Sequence, residues 1–210
     1  MSHDQAALSF AVGADVSRET IERLHAYADL LRHWNERVNL VAMSTIPQLW
    51  QRHIVDSAQL LAHSPASAAS WVDLGSGAGL PGIVIACLTR QFRPELCLTM
   101  IESDRRKCAF LTTAARKLDL NVAVISQRIE IADQQMSNVV SARALAPLTK
   151  LLPLVARHLA PGGVAILPKG RAFREEITAA LVSWSFSYEI HPSRTSQDSV
   201  ILKLEAPIRV

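Results

Sequence analysis

Residues 71–82 read Trp-Val-Asp-Leu-Gly-Ser-Gly-Ala-Gly-Leu-Pro-Gly, and no other stretch constrains the fold as tightly. A short apolar run carries an acid, Asp73, and leads into glycine at every second position: Gly75, Gly77 and Gly79. Glycine permits backbone conformations that other residues avoid, and it lets a ligand approach where no Cβ stands in the way. The helix expected from Pro81 to Leu88 begins with unpaired N–H groups, and proline suits its first turn. Strand, bare turn and helix start together seat a nucleotide-sized ligand at the carboxyl end of a strand. The dinucleotide fingerprint requires glycine at its first, third and sixth positions. Here the sixth position is Leu80, and glycine falls at the first, third and fifth. That spacing disfavours a nicotinamide dinucleotide; a cofactor-free turn in an α/β domain is the bland alternative.

The rest of the chain sets the frame for this loop. Its 210 residues suffice for one α/β domain with a sizeable core, or one domain with a small appendage. No uncharged apolar run approaches the ~18 residues of a membrane span, and Met-Ser-His-Asp-Gln at the start is no signal peptide. Cys87, Cys97 and Cys108 lack metal-type spacing and cannot all pair, so buried thiols in a reducing compartment are expected. The expectation is a soluble cytoplasmic protein without a metal site. Net charge is +3 and the isoelectric point near 9.0, a weak pointer to an acidic partner. Basic residues cluster at Arg32/His33/Arg37, Arg52/His53, Arg105–Lys107, Arg116/Lys117 and Lys169/Arg171/Arg174. Each cluster alone reads as a solvated helix face.

Periodicity divides the chain. Residues 1–65 read as a helical extension and 66–210 as an alternating α/β domain, joined by the Ala/Ser-rich piece Ser64–Ser70. Ser17 is placed to cap a helix, with Ile21, Leu24, Ala28, Leu31 and Trp34 as its apolar stripe. A second helix is expected from Pro47 to about Leu61. Strands are expected at Ser70–Leu74, Leu96–Ile101, Asn121–Ile125, Asn138–Ala142 and Val164–Pro168. Helices are expected at Asp104–Leu118, with Asp104 as cap, at Pro147–Leu159 and at Ala172–Leu181. A closing pair, Phe186–Ile190 and Val200–Leu204, has no helix between its strands and reads as an edge hairpin. Alternation of this kind predicts a mostly parallel sheet with helices on both faces.

In such sheets ligands sit beyond the carboxyl ends of the strands, so strand ends supply the candidate site. Glu102 follows the second strand, 23 residues after Gly79, where an acid accepts hydrogen bonds from ribose hydroxyls; a surface acid is the alternative. Ile129 and Glu130 follow the third strand; Glu130 is equally placed as a helix-start acid. Arg143 follows the fourth, where its planar fork suits a carboxylate, a phosphate or a base edge; a salt bridge closing the pocket competes. Lys169 and Arg171 follow the fifth, as phosphate ligands or as a basic loop. His53 and Asp56 lie three apart, on one face if helical. They read either as an acid/base pair or as a satisfied structural pair. Trp34 reads as core.

Taken in order, Trp34-Asn35 with Asn39-Leu40, Arg52-His53-Ile54-Val55-Asp56-Ser57, Asp73 through Gly82, Arg143-Ala144 and Lys169-Gly170 resemble one family. It is the RsmG (GidB) family of bacterial 16S ribosomal RNA guanine-N7 methyltransferases, and the resemblance covers about residues 15–205. The glycine spacing alone resembles the S-adenosylmethionine loop of class I methyltransferases; the Arg-His-Ile-x-Asp-Ser segment makes the match specific. The resemblance implies a class I methyltransferase (Rossmann-like) fold, with a mostly parallel seven-stranded sheet and an N-terminal helical extension. It implies S-adenosylmethionine as cofactor and S-adenosylhomocysteine as product. By the same resemblance Gly75, Leu80, Ile129, Glu130 and Arg143 would contact the donor, and the loop and strand-end reading adds Asp73, Gly77, Gly79 and Glu102 to the expected donor site. On the reading of the residues themselves, Arg143, His53 and Asp56 are the expected catalytic group, and Arg52, Lys169 and Arg171 the expected RNA contacts. The partner implied is 16S ribosomal RNA in a small subunit or assembly intermediate, without a membrane and with the chain as a monomer. Two positions depart from the family pattern: Asn138 stands where Asp is frequent, and Asp198-Ser199 where Arg-His is usual. Guanine N7 carries its own lone pair, so alignment rather than a general base is the expected source of rate. Methylation of a small molecule or protein, and donor sensing without turnover, are the competing functions.

Overall fold

A computed structural model describes residues 2–210. Seven strands form one sheet: β1 (Ser70–Leu74), β2 (Cys97–Glu102), β3 (Val122–Ser126), β4 (Ser137–Ser141), β5 (Leu159–Lys169), β6 (Trp184–Pro192) and β7 (Val200–Arg209). Their spatial order is β3-β2-β1-β4-β5-β7-β6. The first five are parallel, and β7 runs antiparallel to both β5 and β6. The reversal between β3 and β4 places the tips of β1 and β4 side by side, where a crevice opens.

Helices cover both faces. They are α1 (His3–Val12), α2 (Arg18–Asn35), the short α3 (Asp56–Ala58), α4 (Gly82–Phe92), α5 (Arg105–Lys117), α6 (Leu148–His158) and α7 (Phe173–Ala180). Alternation along the strands feeds two cores. Trp71, Val139 and Ile166 point into one with Leu24, Tyr27, Ile83 and Phe110. Val72, Val140 and Leu167 point into the other with Leu148, Leu152 and Ile177. The N-terminal helices therefore share a core with the sheet and α4. Among the described residues no helix is long and apolar enough to cross a membrane.

Local chemistry sets several boundaries as expected. Ser17 Oγ accepts from the Thr20 N–H at 3.2 Å, and Asp104 Oδ1 accepts from the Arg106 N–H at 2.8 Å. Asn35 ends α2 by folding its side chain back: its Oδ1 accepts from the Leu40 and Val41 N–H groups, both at 2.9 Å. Asn138 does from its amide oxygen what a carboxylate would do. It accepts from Ala69 N, Ser70 N and Ser70 Oγ at 3.0–3.1 Å and locks β4 to β1.

Three expectations need correction. The helix placed at Pro47–Leu61 is a chain of short turns: a 3-10 segment Met43–Gln48, a π turn Trp50–Val55, α3, and a 3-10 segment Gln59–His63. Proline inside a helix removes a backbone donor, and a π turn re-aims side chains, commonly at functional sites. Cys97 is exposed, whereas Cys87 and Cys108 are buried, because Cys97 opens its strand. The closing strands are longer than their apolar cores, since edge pairing carries polar residues along with it.

Candidate active site

The glycine loop folds between the tips of β1 and β2. Gly75 and Ser76 donate backbone N–H bonds to the Ile101 carbonyl at 2.9 and 3.1 Å. Gly75, Gly77 and Gly79 have φ of 66°, 54° and 81°, the left-handed region that favours glycine. Gly75 and Gly77 are partly exposed; Gly79 is buried and faces Ile83 and Leu111. Leu80 is buried in the core, so its backbone rather than its side chain is nearest the loop surface. Asp73 is fully buried behind the loop. Its Oδ1 accepts from the Ser141 hydroxyl at 2.7 Å and its Oδ2 from the Gly82 N–H at 3.3 Å. Burial pushes this carboxyl up to about 6, against the pull of the Ser141 bond. Asp73 therefore ties β1 to β4 and to the start of α4. Any influence on a ligand passes through the loop.

Gly75, Gly77, Glu102, Arg128–Glu130, Arg143 and Leu145 line a cleft of about 380 Å³. Glu102 is buried at its floor. One oxygen accepts from the Gly77 N–H and the other from the Asp104 N–H, each at 2.8 Å. Each carboxylate oxygen has a second lone-pair site, so acceptor capacity remains for a ribose. Bare glycine at 75 and 77, an acid at the floor and the Ile129–Glu130 backbone fit an adenosyl group. Ile129 is buried and Glu130 exposed at the rim.

Arg143 is the hub. Its Nη2 donates to His53 Nδ1 at 2.8 Å and to the Arg52 carbonyl at 3.2 Å. Nη1 reaches Ser57 Oγ at 3.5 Å, and Asp56 Oδ2 lies 3.8 Å from Nη2. The guanidinium cannot lose its proton, so it donates and His53 Nδ1 accepts. His53 Nε2–H is then directed to Thr45 Oγ1 at 2.9 Å. Burial, reinforced by Arg143 and Arg52, pushes His53 down to about 4. Its one lone pair is occupied by Arg143 and it stays neutral at pH 7.

This has a measurable sign. The folded pKa of His53 lies below the unfolded value, so the unfolded chain binds the proton more tightly. The contribution is complete above about pH 6.5 and is lost as pH falls toward 4. Asp73 and His63 titrate in the same range, so the expected result is a difference. Subtracting the urea-unfolding profile of His53→Gln from that of wild type leaves a loss of stability between pH 6.5 and 4. A flat difference contradicts the assignment.

A larger cleft of about 630 Å³ opens on the other side of Arg143. Asp56, Arg52, Gln51, Lys169, Thr195 and Ser199 are among its walls. Arg143 and Ala144 line both clefts. Ala144 holds φ 52°, a conformation disfavoured for a residue with a Cβ, and it turns Leu145 onto Gly75.

The basic candidates fare differently. Arg52 is exposed at the cleft. Lys169 is buried, donating to Glu176 Oε2 at 2.7 Å and to the Ala146 carbonyl at 3.3 Å, so it braces the loop after Arg143. Arg171 is exposed and paired with Asp198 at 2.7 Å. One departure from the family pattern thus sets a carboxylate beside a basic side chain.

Four positions escaped the sequence reading. Tyr27 donates its hydroxyl to the Ala78 carbonyl at 2.6 Å, so α2 pins the glycine loop; it sits three residues after Leu24 on the apolar stripe, which was its signal. His158, fully buried, offers Nε2 to the Ile129 carbonyl at 3.0 Å and steadies the loop over the smaller cleft. Thr195 and Thr45 anchor Asp56 and His53. No local pattern marks these last three.

The strand order, the reversed β7, and the glycine loop facing an acid at the tip of β2 define a class I S-adenosylmethionine-dependent methyltransferase. Solved structures share this fold. The glycopeptide N-methyltransferase MtfA, complexed with S-adenosylmethionine, is 11% identical with a TM-score of 0.59, over 74% of this chain and 94% of that one. A SAM-dependent methyltransferase from Aquifex aeolicus is 14% identical with a TM-score of 0.58, over 76% and 94%. The family described as rRNA small subunit methyltransferase G matches residues 20–201. The Ribosomal RNA small subunit methyltransferase G of Cereibacter sphaeroides is 50% identical over 210 residues, the whole of both chains. This chain belongs to the RsmG (GidB) family.

Proposed function

We propose that the chain transfers a methyl group from S-adenosylmethionine to N7 of one guanine in small-subunit (16S) ribosomal RNA, by positioning and without a general base. The observation that carries this reading is the shared wall. An adenosyl-sized cleft and a larger polar cleft meet at Arg143 and Ala144. Bound in the smaller cleft, S-adenosylmethionine supplies a methyl already activated on a sulfonium. Gly75, Gly77, Glu102 and the Ile129–Glu130 backbone hold it there. Arg143, fixed by His53, Asp56 and the Arg52 carbonyl, holds the boundary between donor and base. Guanine N7 has an available lone pair, so no proton need leave before transfer. Fixed alignment of this kind is worth roughly 7–11 kcal/mol.

The extension of residues 1–65 serves the site by bracing the glycine loop through Tyr27 and Arg143 through His53. Arg52 at the cleft and the exposed Arg171 meet phosphates, so affinity for RNA falls as salt rises. The base enters unstacked, as is usual for specific RNA recognition. With a charge of only +3, shape supplies much of the selection. The substrate is accordingly RNA folded in a small subunit or its precursor, and the chain acts as a monomer in the cytoplasm. The test is a map of N7-methylguanine in small-subunit RNA from cells with and without this chain. One methylated guanine is expected to vanish with the chain; an unchanged map refutes the proposal.

A further inference from the structure

Asp56 has one oxygen engaged and one open. Oδ1 accepts from the Gln59 side-chain amide at 2.9 Å and from the Thr195 hydroxyl. Among the described residues Oδ2 has no hydrogen-bond donor: Arg143 Nη2 stands 3.8 Å away, beyond hydrogen-bond reach. The side chain is only 17% exposed and lines the larger cleft. That oxygen opens on the cleft with its lone pairs free to accept an N–H from whatever fills it.

We propose that Asp56 Oδ2 accepts the N1–H of the target guanine and so selects guanine over adenine. The inference rests on the functional reading above. Around the base, N7, O6 and N1–H follow one another. Along the protein, the donor cleft, Arg143 and Asp56 follow in the same order, because Arg143 lines both clefts and Asp56 lines only the larger. Setting N1–H on Oδ2 brings O6 beside the guanidinium and turns N7 toward the donor. Arg143 has donors for O6: Nη2 serves His53 and the Arg52 carbonyl, whereas Nη1 makes only the long contact to Ser57. Adenine in this seat presents a lone pair at N1 to a carboxylate oxygen and an amino group to a guanidinium. Both contacts are repulsive, and a site built around a substrate N–H discriminates strongly against a base lacking it. The N1 proton stays on the base throughout, so Asp56 reads the substrate and does not act as a base.

The test uses the full chain, S-adenosylmethionine, and small-subunit RNA with guanosine or 1-methylguanosine at the target. For wild type, kcat/KM is expected to fall about 30-fold on the 1-methyl RNA, as for a lost hydrogen bond to a charged group. Asp56→Ala is expected to lose a similar factor on guanosine RNA, with S-adenosylhomocysteine binding unchanged, and to treat the two RNAs alike within about threefold. Thr195→Val removes a bond to Oδ1 but leaves Oδ2, and is expected to discriminate as wild type does. Wild type accepting 1-methylguanosine overturns the proposal, and this arm stands even if Asp56→Ala fails to fold. Asp56→Ala discriminating as wild type does also overturns it. Methyl transfer to neither RNA by wild type refutes the functional reading itself, and this inference with it.

Discussion

Replacing Arg143 with alanine is expected to lower turnover by about 100-fold or more while the chain stays folded, the scale of loss when a reacting group is displaced by an ångström. Among the described residues only Arg143 and Ala144 line both clefts, and the guanidinium's orientation is set by His53 Nδ1 and the Arg52 carbonyl. Removing it leaves two acceptors without their donor and Asp56 without its neighbouring cation. That costs about 1–3 kcal/mol of stability, which a domain with 5–15 kcal/mol can tolerate. Arg143→Lys is the sharper variant. It keeps the charge but loses the fork, and an ammonium in its place cannot hold the same bonds with the same plane. Most of the turnover is expected to go with it. Single-turnover methyl transfer, with circular dichroism as the fold control, reads both. Turnover within threefold of wild type in Arg143→Ala removes this residue from the site.

The second large effect is on the loop itself. Gly79→Ala is expected to lose about 2–5 kcal/mol of stability, the sum of a left-handed alanine and an overpacked core. A Cβ there would lie 2.4 Å from Ile83 Cγ1 and 3.0 Å from Leu111 Cδ2, at φ 81°. Gly162→Ala supplies the control. Its φ is 73° and a Cβ there meets nothing within 4 Å, so only the backbone term of about 1–2 kcal/mol remains. Urea unfolding of the two variants separates conformation from packing. Equal losses would mean that Ile83 moves aside without penalty and that the loop is less tightly set than its contacts indicate.

What the sequence disclosed, and what it withheld, follows the range of the interactions. β1 was legible to the residue, because a short apolar run carrying one acid leads straight into a glycine-rich turn. The caps Ser17 and Asp104 were legible because they act within three residues. The strand ends carrying Glu102, Arg143 and Lys169 were legible because a parallel sheet places its ligands there. The roles at those ends were not. Lys169 reads as a phosphate ligand or part of a basic loop, and only α7 reveals Glu176 2.7 Å away. His53 and Asp56 read equally as an acid/base pair or a structural pair, and the contact to the imidazole comes from Arg143, 90 residues away in sequence. The irregular turns of residues 43–63 hid behind an ordinary helical composition. It is their π turn, not regular helical spacing, that sets His53 and the Arg52 carbonyl against one guanidinium. Resemblance to a family identified the motif residues, and only packing revealed that several of them act on one another.

The most direct test of the central claim is calorimetric titration of the folded chain with S-adenosylhomocysteine. One site per chain is predicted, severely weakened by Gly75→Val and unchanged by Asp56→Asn. The absence of binding to the folded protein, or uptake of a nicotinamide dinucleotide in its place, would contradict it.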